Sequence, residues 1–401
     1  MNMLHRFLYR TILLLIFIIF LMLPGHTQQV LKKVSAITFK KHVISKTFVS
    51  EGVAAGDVNN DGITDILAGN YWYQAPAFNR HLLQADTLNP VPGYSTTFLN
   101  FCLDVNNDGW ADLIRFDQPG GVCVWYENLK NSKSLWKSHM ILKTAGIETP
   151  AFVDVDLDGR MDIICNDITA KEVIWLKSPV AKADTIWQRY VISHDSVRGT
   201  HRYTHGLGWG DVNKDGKNDV LIKSGWWESP KNVKEPDWTF HAADFGQDCA
   251  NMFVYDLDED GDQDVISSSA HNYGIWWHEQ KQDGNGKTTW VTHEINKSFS
   301  QSHALAFKDI NADGHPDLIT GKRYFAHNNG KDPGSFEPAI LCWFQYVPGK
   351  APEWITHEID NDSGIGNSFI VTDINKDGLP DIITSNKKGV FFFEQLKPVF
   401  K

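Results

Sequence analysis

One pattern of oxygen-bearing side chains recurs seven times in the 401-residue chain: Asp-x-Asn/Asp-x-Asp-Gly-x-x-Asp. Ca²⁺ takes six to eight hard oxygen ligands at flexible geometry, and this spacing supplies them at alternate positions of a tight loop. Positions one, three, five and nine offer side chains and position seven a main-chain carbonyl, while the glycine at position six permits the turn around the ion. The first two ligand sets are Asp57, Asn59, Asp61, Ile63 and Asp65, then Asp104, Asn106, Asp108, Trp110 and Asp112. The third and fourth are Asp154, Asp156, Asp158, Arg160 and Asp162, then Asp211, Asn213, Asp215, Lys217 and Asp219. The last three are Asp256, Asp258, Asp260, Asp262 and Asp264; Asp309, Asn311, Asp313, His315 and Asp317; and Asp373, Asn375, Asp377, Leu379 and Asp381. Loops three and five carry Asp156 and Asp258 where the others have Asn, and the added charge predicts tighter binding there. The plainer reading is a set of Asp/Asn-Gly turns that need no metal. The aligned carboxylates would then repel one another uncompensated.

A second group of residues could do different chemistry. His205 and His303 with Glu148 could hold a catalytic divalent metal through neutral imidazole and carboxylate ligands. Alternatively, His271, Tyr273, Arg323 and His327 could take a proton α to a carbonyl and stabilise the oxyanion. Aromatic faces beside carboxylates and amides suit sugar rings, which offer apolar CH faces and hydroxyl edges. Glu51, Tyr71, Trp72, Trp226, Trp227, Asn251, Asn367 and Lys387 are the candidates for such contact. The bland alternative is that several of these residues cap strands or meet water. No nucleophile motif or paired-carboxylate spacing fixes a reaction.

The elements that must position these residues are strands. Each motif lies between two apolar stretches, and the motifs recur at a spacing typical of solenoids, propellers or arrays. Every copy contains four strand-like runs; in the second they fall near residues 99–103, 112–115, 121–127 and 136–142. The expectation is an all-β, seven-bladed β-propeller with four antiparallel strands per blade. The seventh copy stops after its third strand at Gln395, and a matching fourth strand appears at residues 39–44. Pairing of that N-terminal strand with the last blade would close the ring. Calcium loops then join first to second strands on one face. The first-strand starts, Glu51, Thr97, Glu148, His205, Asn251, His303 and Asn367, point into the channel mouth on the other, beside inserts at 194–205 and 325–339. His42, His81, His139, His241, His293 and His357 share a fourth-strand register and are read as structural.

The loops and their flanking strands resemble the FG-GAP/VCBS repeat family, which includes the integrin α-subunit propeller, over nearly the whole chain after the leader. The resemblance implies a calcium loop between the first two strands of each blade, mainly structural, on a fold used for adhesion, glycan binding and catalysis. The loop spacing also resembles the front of an EF-hand, without its bidentate Glu at position twelve, so the ninth-position Asp must close the site. The phrases EGVAAGDVNNDG, YWYQAP, WYEN, THGLGWGDVNKDG and GWWESP are similar to the propeller of aldos-2-ulose dehydratase and related secreted bacterial proteins. That enzyme eliminates water from an oxidised sugar and carries cupin domains that this sequence does not match. What carries over is a sugar-facing surface, with His205 in the matching THGLG stretch.

A formal charge of −11 argues against a nucleic-acid partner, although seven bound Ca²⁺ would reverse its sign. The composition, 42% hydrophobic with 15 Trp, allows a large core. The five cysteines show no CxxC spacing and are read as buried apolar residues, with one disulfide as the alternative. His5, Arg6 and Arg10 precede an apolar run from Thr11 to Leu23. As a helix this spans about 20 Å, short of the roughly 30 Å hydrocarbon core. The expectation is a signal peptide at 1–27 and a single propeller at 28–401, secreted or periplasmic, with an uncleaved membrane anchor as the alternative. Carbohydrate is the expected partner, as substrate of a sugar lyase or dehydratase, with a non-catalytic glycan- or protein-binding propeller as the alternative.

Overall fold

A computed structural model describes residues 37–397 except 88, 92, 131, 182–183, 285–286 and 329. The expected leader lies outside the described residues. Among those residues the secondary structure is all β, and no helix is long and apolar enough to cross a membrane.

The strands come in groups of four. After β1 (Thr38–Ser45), the first group is β2 (Ala54–Gly56), β3 (Asp65–Ala68), β4 (Tyr71–Gln74) and β5 (Asn79–Leu82). The second is β6 (Leu99–Leu103), β7 (Asp112–Phe116), β8 (Gly121–Glu127) and β9 (Lys137–Ala145). Then follow β10 (Ala151–Val153), β11 (Asp162–Asp167), β12 (Glu172–Lys177) and β13 (Gln188–Ser193). Next are β14 (Gly208–Gly210), β15 (Asp219–Ile222), β16 (Gly225–Glu228) and β17 (Thr239–Ala242). The fifth group is β18 (Phe253–Tyr255), β19 (Asp264–Ser268), β20 (Tyr273–Gln282) and β21 (Thr288–Ser300). The sixth is β22 (Leu305–Lys308), β23 (Asp317–Gly321), β24 (Leu341–Val347) and β25 (Glu353–Asp360). The last, β26 (Phe369–Thr372), β27 (Asp381–Asn386) and β28 (Gly389–Leu396), is completed by β1.

Pairing within each group is antiparallel, in order first to fourth, as in a β-propeller. The second and third groups merge into one eight-stranded sheet where Asp167 faces Ala145. β1 lies antiparallel to β28, from Thr38 opposite Leu396 to Ser45 opposite Val390. β2 lies against both β6 and β26.

Burial follows position in the group. The second strands read DILA, DVLI or DLITG and are buried throughout, because sheets cover both of their faces. The fourth strands are largely exposed: β5 reads NRHL with every residue accessible. Between them, the third strand stacks an aromatic ring on a fourth-strand ring. Trp72 on His81, Trp125 on His139, Trp226 on His241, Trp277 on His293 and Trp343 on His357 have centroids 4.2–4.3 Å apart. Phe392 on His42 is the looser sixth pair, at 5.1 Å. Four of these rings also reach a glutamate two residues past the third-strand aromatic: Glu394 and Glu228 at 2.7 Å, and Glu127 and Glu279 at 2.9 Å. The recurring histidines thus hold the outer strand to the sheet. Four cysteines are buried and Cys102 is partly so, all unpaired.

His278 is a histidine outside that register. It is buried on β20, with Nε2 2.8 Å from Ser267 Oγ and Nδ1 3.0 Å from Thr292 Oγ1. Burial holds it down to about 4, from 6.5. The neutral ring is therefore favoured in the fold. Its contribution is full above pH 6.5 and is lost as pH falls toward 4, on the order of 3 kcal/mol. Denaturant melts between pH 7.5 and 4 should show this loss, with a shallower slope in His278→Gln. Equal slopes would remove the assignment.

Candidate functional site

The acidic loops fold alike. In each, the position-one carboxylate accepts the N–H of the glycine at 2.8–3.1 Å. The position-five carboxylate accepts the N–H of position seven at 2.8–3.0 Å. Position four is left-handed, as at Asn60 (φ 56°), and so is the glycine, as at Gly62 (φ 84°). A Cβ on Gly62 would meet nothing within 4 Å, so the dihedral rather than crowding calls for glycine.

Position nine does more than close a metal site. Asp65, Asp112, Asp162, Asp219, Asp264, Asp317 and Asp381 are each 0% exposed. One oxygen of each accepts the position-two N–H, at 3.0–3.2 Å. The other accepts an N–H at or just past the end of the third strand, at 2.8–3.0 Å. Burial raises these carboxyls, Asp112 and Asp317 to about 7 and Asp65, Asp162, Asp219, Asp264 and Asp381 to about 6. A buried acid under that pressure, with further carboxylates beside it, fits a hard cation that would hold it ionised. Asp154, Asp156 and Asp162 bring three oxygens within 4.8 Å of one another, and so do Asp256, Asp258 and Asp260.

At the opposite ends of the first strands lies a pocket of about 480 Å³, lined by Glu148, His205, His271, Arg323 and His327 with Tyr94, Phe98, Gln118, Tyr203 and Asp248. His205 Nε2 stands 3.3 Å from His303 Nε2 and 3.0 Å from His271 Nε2. The three ring planes cross at 82°, 67° and 83°, so one point can lie near all three planes. Two ligands about 2.0–2.1 Å from one ion stand about 2.8–3.4 Å apart at octahedral or tetrahedral angles, which matches both His205 distances, and the three ligand nitrogens all lie within 4.8 Å of one another. Glu148 Oε2 is 3.3 Å from His303 and 3.7 Å from His205. His205 Nδ1 faces the Tyr203 carbonyl at 2.8 Å and so carries a proton there, the outer-shell bond typical of a ligating histidine.

Electrostatics favour neutral rings beside a charged acid. Burial and the Arg323 charge hold His303 well below the usual imidazole range. Burial, reinforced by neighbouring imidazoles, brings His271 to about 4. Burial opposes the charge on Glu148, but its contact with His303, then the neighbouring His205 and His303 rings and Arg323, outweigh it and keep the carboxyl low. Arg323 donates to His303 Nε2 at 2.8 Å and reaches Glu148 at 3.5 Å and Glu51 at 3.4 Å. Glu51, wholly buried, also takes Lys387 at 2.7 Å.

His271, His327 and Asp332 also cluster, but differently. The His271 and His327 rings stack at 4.4 Å with planes 14° apart, so one ion cannot lie in both planes. Asp332 instead holds His327 Nδ1 at 2.8 Å, an oriented His–Asp pair at the pocket wall.

The two alternative sets read from sequence therefore merge: Glu148, His205, His303, His271, Arg323 and His327 meet at one place. Tyr273 does not line the pocket; its hydroxyl donates to Glu337 at 2.5 Å. The proposed sugar contacts are mostly elsewhere. Trp226 and Trp227 are 7% and 1% exposed within their sheet. Tyr71 is buried with its hydroxyl on Asp86, and Trp72 lies under His81 beside a separate groove. Asn251 and Asn367 line a separate cavity of about 120 Å³ between first strands. Glu51 and Lys387 lie buried behind Arg323. Tyr94, Gln118, Tyr203, Asp248 and Asp332 were missed, because they sit on irregular connections without a repeat register. Glu51→Gln, which takes the carboxylate from buried Lys387 and leaves Arg323 only Glu148, should cost about 3–5 kcal/mol in urea unfolding; a cost under about 1 kcal/mol would mean that the pair is not structurally coupled.

Sequence profiles match the FG-GAP-like repeat at residues 104–165 and 256–320 and the FG-GAP repeat at 51–79. No curated protein matches the chain. Among solved structures, an Agrocybe aegerita lectin that recognises non-reducing terminal N-acetylglucosamine is 15% identical over 82% of each chain, with a TM-score of 0.44. The V. cholerae biofilm matrix protein Bap1 is 10% identical over 88% of this chain and 81% of that one, with a TM-score of 0.38. Likenesses this distant carry no functional argument. The repeat profiles fall on five of the seven Asp-rich loops and the strands that flank them, so the chain carries FG-GAP repeats.

Proposed function

We propose that the chain is a closed seven-bladed propeller, stapled by calcium in its acidic loops, that acts on carbohydrate at the histidine pocket. Support for the ring comes from the β1–β28 pairing and from β2 lying between β6 and β26. The basic and apolar leader supports export, to where free Ca²⁺ is plentiful.

One observation carries the site reading: His205 Nε2 stands 3.0 Å from His271 and 3.3 Å from His303, the three rings cross at 67–83°, and their ligand atoms all lie within 4.8 Å of one another beside Glu148. Imidazole nitrogen suits a divalent transition ion, while the oxygen loops suit Ca²⁺. His205, His271, His303 and Glu148 would hold that ion, which when bound supplies Lewis acidity toward a sugar carbonyl or hydroxyl. Arg323 would exchange its bond to His303 for its contacts with Glu148 and Glu51. His327, oriented by Asp332, stands at the pocket wall as the group that takes or returns a proton. Tyr94, Phe98 and Tyr203 offer apolar faces, and Gln118 and Asp248 polar edges, to a ring of hydroxyls. The reaction class this fits is an elimination, in which a proton α to a carbonyl is removed, the β C–O bond breaks and the oxygen leaves as water. The same aromatic wall favours the second reading, a pocket that binds a glycan without turning it over.

Oxidised and acidic oligosaccharides incubated with zinc- or manganese-loaded protein test this. The lyase reading expects new unsaturated-sugar absorbance that His205→Ala and His271→Ala abolish while the circular dichroism is unchanged. Binding without turnover selects the glycan-binding reading, and neither outcome on any sugar rejects both. For the loops, chelation should lower the melting temperature by about 10 °C or more. An unchanged melt in excess EDTA would remove the calcium claim.

A further inference from the structure

The third acidic loop departs from its counterparts in four places, one of them shared with the fifth loop, and the departures fit one another. Two residues past the third-strand aromatic the chain has Gln74, Glu127, Glu228, Glu279, Gln345 and Glu394, but in the third unit Lys177. The fourth-strand ring that would pair with a glutamate there is histidine in the other six units and Tyr190 here. Position three, Asn in five loops, is Asp156. The Lys177 ammonium is 10% exposed and donates to both oxygens of Asp156, at 2.8 and 2.6 Å, and to Asp158.

The fourth departure is in the loop itself. In the other six loops the position-three side chain accepts the position-five N–H at 2.8–3.2 Å. Asp156 makes no such bond; it has turned to Lys177, and Asp158 N–H keeps only the bond to Asp154, the position-one bond that five other loops make as well. Loop five shows that an added Asp alone does not do this. Asp258 keeps its loop bond at 3.2 Å, and its lysine, Lys281, is 40% exposed and shared with Glu279.

We propose that Lys177 replaces the calcium ion in the third loop, so that this blade is closed by an internal ammonium and needs no metal. The ammonium sits on the position-three and position-five carboxylates, two of the ligands the ion requires. A divalent ion bound by those oxygens would lie within bonding distance of the atoms that hold Lys177, and the two positive charges would repel. Asp156 is then explained as the counter-charge to Lys177, and Tyr190 keeps the stack on Trp175. The expectation of tighter binding in loop three from its added charge is reversed, because the lysine cancels that charge.

The inference rests on the calcium reading of the other loops, and one experiment separates the two. Native mass spectrometry in millimolar calcium counts ions on the full chain for wild type, Lys177→Gln and the double variant Lys177→Gln/Asp156→Asn, which restores the loop pattern of the first and sixth units. The expected result is one more bound Ca²⁺ in either variant than in wild type, six becoming seven. An equal count in wild type and in a folded variant, or seven ions on wild type, overturns the proposal while leaving the calcium reading intact. No ions on wild type overturns both. A crystal structure of wild type in calcium gives the same decision if neither variant folds: Lys177 Nζ between Asp156 and Asp158 supports it, and an ion there overturns it.

Discussion

A buried carboxylate that cannot reach water sets the terms for this fold. Each ninth-position Asp lies under its sheet with one oxygen on the start of the acidic loop and the other near the end of the third strand. Those two bonds join the first strand, the loop, the second strand and the third strand of a unit through a single side chain. An unpaired buried charge costs several kcal/mol, so the surrounding chain is built to compensate it. Two backbone N–H groups do part of this. Burial still raises every one of these acids to about 6 or 7, and the proposed cation, or in the third loop the proposed lysine, would supply what remains.

This constraint also places the functional site. With the loops fixed at one end, first strands of only three to five residues run the roughly 10–17 Å to the other end. Residues just before those strands, Glu148, His205 and His303 among them, are therefore held near the channel by backbone that cannot shift without disturbing a staple. His271 and Arg323 arrive from the ends of second strands in neighbouring units. The pocket is thus assembled from several sheets, each contributing one or two rigid positions, and the less regular 325–339 connection adds only His327 and Asp332. In the proposed reading, hard oxygen donors at one end and neutral nitrogen donors at the other would divide holding from acting.

Much of this was legible in the sequence, because repetition turns a weak local signal into a register. The acidic loops, the four-strand units, the pairing of the N-terminal strand with the last sheet and the outer histidine stacks could be read by aligning the copies. So could the first-strand starts, since their distance from each loop is fixed. What did not follow was side-chain direction. Trp226 and Trp227 were counted as displayed aromatics, yet strand alternation and a neighbouring sheet bury both. Tyr203, Asp248 and Asp332 lie on connections whose course no period dictates. Loop charge alone did not reveal that Asp156 has a cationic partner, Lys177, 21 residues on.

The most direct measurement is anomalous diffraction at the zinc edge from crystals grown with both Ca²⁺ and Zn²⁺. The account predicts zinc at a single position, bonded to Nε2 of His205, His271 and His303 and to Glu148, with Arg323 moved off His303. Zinc in the acidic loops, or an empty tripod with Arg323 still donating to His303, would contradict it.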